Sequence, residues 1–125
     1  MIERSFETQL NDLWEVVLNL SLSGPDQLQL LEAMGDASAI DELALAFDES
    51  YWTVNEAFTR NQMSRDELKA LSNLNGCLNR MSGEEHADLW TQEALNNGDE
   101  WIEVRRLATK AILSRQISRV QRASA

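Results

Sequence analysis

Apolar residues recur at spacings of three and four in several segments of the chain, and this spacing limits its fold more than any other feature. The first such segment contains Phe6, Leu10, Leu13, Trp14, Val17 and Leu20. Residues three and four apart lie on the same face of an α-helix, so the spacing predicts a helix over about residues 3 to 21. Eighteen Leu against five Val and five Ile also favour helices over strands. We therefore expect an all-α fold.

Short polar segments interrupt the apolar pattern and predict where the helices begin and end. The segment SLSGPD closes the first helix, and Pro25 lies where a second helix can begin. A Ser followed three residues later by an acid predicts three further helix starts, in SAID from Ser38, SRDE from Ser64 and SGEE from Ser82. NNGD closes a fifth helix and offers Asp99 as the cap of a sixth. The sequence thus predicts a compact bundle of about six antiparallel and crossing helices, in a single domain that takes in the whole chain.

The segment from about residue 38 to about residue 60 predicts one helix with apolar residues on two sides. One side is a continuous stripe of Ile40, Leu43, Ala44, Phe47, Tyr51, Val54 and Phe58. Tyr51 follows Phe47 by four residues, so we expect it in the core. Leu45 and Trp52 are seven residues apart and lie on the other side of the same helix.

The side with Leu45 and Trp52 is acidic, and two interpretations fit it. Another helix can cover the two apolar residues, or they form a binding surface in which an exposed aromatic is surrounded by carboxylates that attract a basic partner. The second interpretation predicts a partner-binding site made of Asp41, Leu45, Asp48, Glu49, Trp52, Asn55 and Glu56.

Charge is unevenly distributed along the chain. Residues 1–56 contain twelve acids and one base, residues 57–103 nine acids and four bases, and residues 104–125 six bases and no acid. An acidic protein repels phosphate backbones and attracts basic proteins, so we expect a basic protein partner and no nucleic acid. The last helix has Arg115, Arg119 and Arg122 at spacings of four and three, and we expect it to dock on the acidic part of the molecule or to remain solvated.

Several other functional classes lack a sequence signal. No apolar run is long enough for a membrane span and no secretory signal opens the chain, so we expect a cytoplasmic protein without membrane contact. Cys77 is the only cysteine and His86 the only histidine, which predicts a buried free thiol and no metal site. No phosphate-binding loop, nucleophile motif or cofactor motif is present, so we expect neither catalysis nor a cofactor.

One short segment resembles a known family of bacterial proteins. Asp48, Glu49, Tyr51 and Trp52 are similar to the acidic helix and two adjacent tyrosines with which immunity proteins of nuclease colicins bind their toxin. The segments RMSGEEHADLWTQEAL and EWIEVRRLA resemble helical immunity proteins of contact-dependent growth inhibition. The resemblance implies an acidic and aromatic surface that binds and neutralises a toxin domain.

The sequence therefore favours a non-catalytic immunity protein that holds a basic toxin domain, such as a nuclease. The main alternative is a regulatory adaptor that contacts its partner through the basic last helix. A third hypothesis is an enzyme that uses His86.

Overall fold

The computed structural model describes residues 5–124, which form seven α-helices, one 3-10 helix and no strand. The α-helices are α1 (Phe6–Ser21), α2 (Gly24–Ala33), α3 (Asp41–Tyr51), α4 (Val54–Thr59), α5 (Arg65–Arg80), α6 (Gln92–Asn97) and α7 (Asp99–Ser124). The 3-10 helix, Glu84–Leu89, lies between α5 and α6. The all-α prediction is confirmed. The predicted third and fifth helices are each divided in two, and residues 3 and 4 of the predicted first helix lie outside the described residues.

One of the three predicted Ser caps is a full capping box. At the start of α5 the Ser64 hydroxyl accepts from the Glu67 backbone amide, and the Glu67 carboxylate accepts from the Ser64 amide. Ser38 does not cap α3, because its hydroxyl and amide both donate to the Asp36 side chain. The cap predicted at Ser82 is wrong as well, because no side chain caps the 3-10 helix that follows it.

The Ser82 prediction fails because the backbone turns at the next residue. Gly83 has a φ of 110°, a conformation that glycine adopts at little cost, and it directs the chain into the 3-10 helix. The Ser82 hydroxyl donates instead to the Leu78 carbonyl of the preceding helix. Asp99 is the first residue of α7 rather than its cap, because the Gly98 carbonyl accepts from the Ile102 amide.

The buried apolar residues form one hydrophobic cluster to which all seven α-helices except α2 and α6 contribute at least two residues. α7 packs against α1, α5 and α6, and α3 packs against α1 and α5. Phe47 and Trp101 are among the largest fully buried side chains. Tyr51 stacks on Phe47 with ring centroids 5.2 Å apart but is only half-buried, and Phe58 is exposed, so the predicted stripe leaves the core at its C-terminal end.

The basic half of α7 docks within the molecule, which confirms the first of the two expectations for it. The Arg115 guanidinium lies 5.0 Å from the centre of the Trp14 ring on α1. Arg122 donates to the buried Glu67 carboxylate at 3.2 Å, and the Ser118 and Ser64 hydroxyls are 2.7 Å apart. These contacts hold α7 along α1 and the beginning of α5. α7 is one continuous helix, and the apolar side chains on its other face are exposed.

A polar network built on Gln27 and Arg105 joins the ends of α1, α2 and α6 to α7. The fully buried Gln27 side chain donates to the carbonyls of Asn19 and Leu20 in the last turn of α1. Arg105 donates to the Gln27 side-chain oxygen at 3.0 Å, to the Leu22 carbonyl at 2.9 Å and to the Leu95 carbonyl of α6. The last carbonyls of a helix have no partner inside it, so this network satisfies groups that would otherwise be unpaired.

Among the described residues, none of the helices combines the length and the apolar composition that a membrane crossing requires. The longest, α7, has 26 residues and carries charged side chains along its whole length.

The network predicts a large effect of Arg105→Ala on stability. The substitution leaves Gln27 and two helix-end carbonyls without their charged donor, so we expect the free energy of unfolding to fall by about 3 kcal/mol. Arg106→Ala is the matched control, because Arg106 is exposed and pairs only with Glu103 one turn away. Its effect on the free energy of unfolding is expected to be small, because an exposed ion pair contributes little to stability. Urea denaturation measures both, and equal effects would show that the network does not stabilise the fold.

Candidate acidic binding site

The predicted helix over residues 38–60 is broken at Trp52 and Thr53, next to the predicted site. The Thr53 hydroxyl donates to the Ser50 carbonyl at 2.8 Å, and the Thr53 amide donates to the same oxygen at 3.3 Å. A threonine hydroxyl that bonds back to a carbonyl of the preceding turn competes with the helical hydrogen bonds and bends the chain. Thr53 is buried, so the break is fixed by packing and the acidic side of the predicted helix is divided between α3 and α4.

Trp52 ends α3 with its side chain in solvent. It is 67% exposed, and Leu45 on the same side of α3 is 47% exposed. The interpretation in which another helix covers these two residues is therefore wrong for the described chain. Asp41, Asp48, Glu49 and Asn55 are also exposed. An exposed indole beside carboxylates has no role in the packing of this fold.

Three of the predicted residues line a groove of about 640 Å³ that the sequence did not reveal. Asp41, Leu45 and Asp48 form one wall on α3. The remaining lining residues are Ala44, Phe47, Asn75, Leu78, Asn79, Ser82, Gly83, Glu84, Ala87 and Trp90, from α3, the end of α5, and the 3-10 helix with the residues that flank it. We call this feature the acidic groove, because its described lining residues include three carboxylates, Asp41, Asp48 and Glu84, and no base.

Two tryptophans hold the second wall of the acidic groove in place. The Trp90 indole donates to the Met81 carbonyl at the end of α5 at 2.8 Å, and the Trp101 indole of α7 donates to the Leu89 carbonyl at 2.7 Å. The two rings meet edge to face with centroids 5.4 Å apart. These contacts fix both ends of the link from α5 to α6. The wall therefore rests on the core rather than on a free loop.

The other predicted residues lie outside the groove. Glu49, Trp52, Asn55 and Glu56 are not among its lining residues, and Glu56 forms an ion pair with Arg60 at 2.8 Å. The predicted partner-binding site is thus divided into two patches. One is the acidic groove, and the other is the exposed Trp52 with Glu49 and Asn55 where α3 ends and α4 begins.

Sequence reasoning missed the second wall of the groove. The helix start predicted in SGEE gives its acids a local role, and no periodicity places Leu78 and Ala87 opposite Leu45, since this depends on how the helices pack together. The one local signal was Gly83, because a glycine directly before two acids is also typical of a turn.

The arrangement suits binding of a basic, partly apolar group. The interior of the groove is formed by aliphatic and aromatic side chains, and its carboxylates offer acceptors to Lys or Arg. The asparagines at positions 75 and 79 add neutral hydrogen-bonding groups at the rim.

The two residue types most often used in catalysis lie elsewhere. His86 is half-buried in the 3-10 helix, with its Nε2 atom 3.9 Å from the neighbouring Glu85 carboxylate. Cys77 is a buried free thiol, as predicted, and burial raises its pKa, which keeps it protonated near neutral pH. In the part of the chain that the structure describes, no three His, Cys, Asp or Glu side chains form a group that could hold a metal ion.

Comparison with known proteins does not assign the chain to a family: no protein-family model, no curated protein and no solved structure matches it. The functional argument therefore depends on the residues and their geometry.

The exposure of Trp52 predicts a specific fluorescence result. Trp14 and Trp101 are buried and Trp90 is half-buried, so Trp52 should account for most of the emission that a water-soluble quencher removes. We expect Trp52→Phe to abolish most acrylamide quenching of the folded protein and to leave the urea midpoint nearly unchanged. Trp90→Phe, which retains Trp52, is the control and should keep the quenchable emission. Wild-type quenching as weak as that of Trp52→Phe would show that Trp52 is covered.

Proposed function

We propose that the chain is a non-catalytic binding protein that holds a basic protein domain on its acidic α3 surface, in the manner of bacterial toxin immunity proteins. The observation that carries the proposal is the exposure of Trp52 and Leu45 beside the carboxylates of Asp41, Asp48 and Glu49. Tryptophan is enriched among the residues that dominate the binding energy of protein interfaces.

The charge of the molecule supports a basic partner. The formal net charge is -10, and the bases are concentrated in residues 104–125. Carboxylates fixed on a folded surface attract a cationic domain over a distance and then occupy the positions that phosphate groups would take on it. A toxin that cleaves nucleic acid has such a cationic surface. Neutralising it in this way requires no catalytic residue in the inhibitor.

The adaptor alternative has less support. Arg105, Arg115 and Arg122, half of the bases in the last segment, already contact groups within the molecule. Their charges are therefore not free to serve as the main contact for an acidic partner.

We expect the Trp52→Ala variant to bind its partner more weakly and to keep its thermal stability. The partner to test is the basic domain of a large exported protein encoded beside this chain, purified as an inactive variant. Because Trp52 is exposed in the free protein, we expect its loss to weaken binding by about thirtyfold or more, the range of interface hot spots, with little change in thermal stability. Met34→Ala, at a comparably exposed apolar residue at the end of α2 that does not line the acidic groove, is the control and should bind like wild type. Wild-type affinity in Trp52→Ala would remove Trp52 from the site.

Removal of two carboxylates should act mainly on the rate of association. Asp48→Asn with Glu49→Gln is expected to slow association at low salt, and the difference from wild type should shrink at high salt because exposed charges are screened. Glu15→Gln with Glu32→Gln removes the same charge from exposed positions on α1 and α2 and serves as the control. Stopped-flow kinetics at two salt concentrations measure both pairs. An equal effect of the two pairs would show that total charge, rather than the α3 surface, steers the partner.

A further inference from the structure

The outward face of α7 carries three apolar side chains that are each more than half exposed. Leu113, Ile117 and Val120 are 51, 58 and 65% exposed, at spacings of four and three along one helix face. We call these three residues the α7 stripe. Exposed Lys110 and Arg119 lie on either side of it, and residues 104–125 contain no acid. Ile117 and Lys110 also line one pocket with Lys69 and Asp66 of α5, so the stripe is an apolar surface whose margins carry more bases than acids.

The charge of α7 argues against the simplest partner for the stripe, which is the same stripe on a second molecule. A symmetric α7 pair would bring together two copies of a segment that has six bases and no acid, and like charges in a contact are destabilising. The complementary surface would be apolar with acidic margins.

The acidic groove has this complementary character. Ala44, Leu78 and Trp90 supply apolar surface, and Asp41, Asp48 and Glu84 supply three carboxylates. A helix that binds in a groove inserts side chains at positions i, i+4 and i+7, which is the spacing of the α7 stripe. A groove of about 640 Å³ is also within the size range of sites that enclose several apolar groups.

We propose that the α7 stripe of one copy docks in the acidic groove of a second copy. The contact joins two molecules, because α7 turns Ala111 and Ser118 toward its own core and the stripe lies on the opposite face of the helix. Each molecule then offers one stripe and one groove, so the assembly is head-to-tail, either a closed ring or an open chain. This contact does not depend on the toxin proposal, although a partner that fills the groove would compete with it.

Sedimentation velocity of the purified protein over a wide concentration range tests the proposal. We expect concentration-dependent assembly at about 0.1 M salt, weakened about tenfold at about 1 M salt, because the contact joins opposite charges. Two variants remove one side each. Asp41→Asn with Asp48→Asn neutralises one wall of the groove, and Ile117→Glu places an acid in the stripe. All three positions are solvent-facing, and circular dichroism melting curves check that the variants fold.

Mixing the two variants distinguishes head-to-tail from symmetric association. Each variant alone lacks one side of every contact and should remain monomeric. An equimolar mixture retains one intact stripe and one intact groove and should form a 1:1 pair that grows no further.

Two results would overturn the proposal. The first is a wild-type protein that stays monomeric at every concentration and both salts. The second is symmetric pairing, in which Ile117→Glu dissociates, the groove variant assembles like wild type, mixing rescues nothing and high salt strengthens association. Loss of self-association in Ile117→Glu with unchanged binding of a basic partner would separate this contact from the proposed function, because Ile117 lies outside the α3 surface.

Discussion

The guanidinium of Arg105 joins three helix ends that would otherwise leave unpaired carbonyls against the core. Together with Gln27 it satisfies the last turn of α1, the link to α2 and the end of α6 from a single position on α7. Burial lowers the pKa of Arg105, but arginine stays charged in proteins. Its hydrogen bonds to the helix ends therefore persist at any physiological pH. Because α7 also donates the Trp101 indole to the end of the 3-10 helix, the same helix sets both the bundle and one wall of the acidic groove.

Features that depend on local sequence could be predicted, and those that depend on distant contacts could not. The helix class, the buried face of α1 and the capping box at Ser64 all follow from spacing and from side chains within one turn. The break at Thr53 was hidden because the apolar spacing continues across it: Val54, three residues after Tyr51, is still buried. A threonine in the middle of a helical pattern gives only a weak sign of a bend.

The candidate site shows the same division. The spacing of Leu45 and Trp52 allows them either to be exposed beside acids or to be covered by another helix. Only the three-dimensional structure excludes the covering helix. The groove itself needed knowledge of how Leu78 and Ala87 face α3, which no pattern within α5 or the 3-10 helix contains. Gly83 is the exception, since its φ of 110° is a property that a local glycine makes possible.

The distribution of charge acquires a structural meaning once the partners of the bases are known. Arg105 binds helix-end carbonyls, Arg115 lies on Trp14 and Arg122 pairs with the buried Glu67, so half of the bases of α7 already contact groups within the molecule. The exposed carboxylates of α3 have no comparable set of bases among the described residues that line the groove. The molecule therefore presents to solvent a field more negative around α3 than its net charge alone suggests, and a cationic surface is the one that such a field attracts.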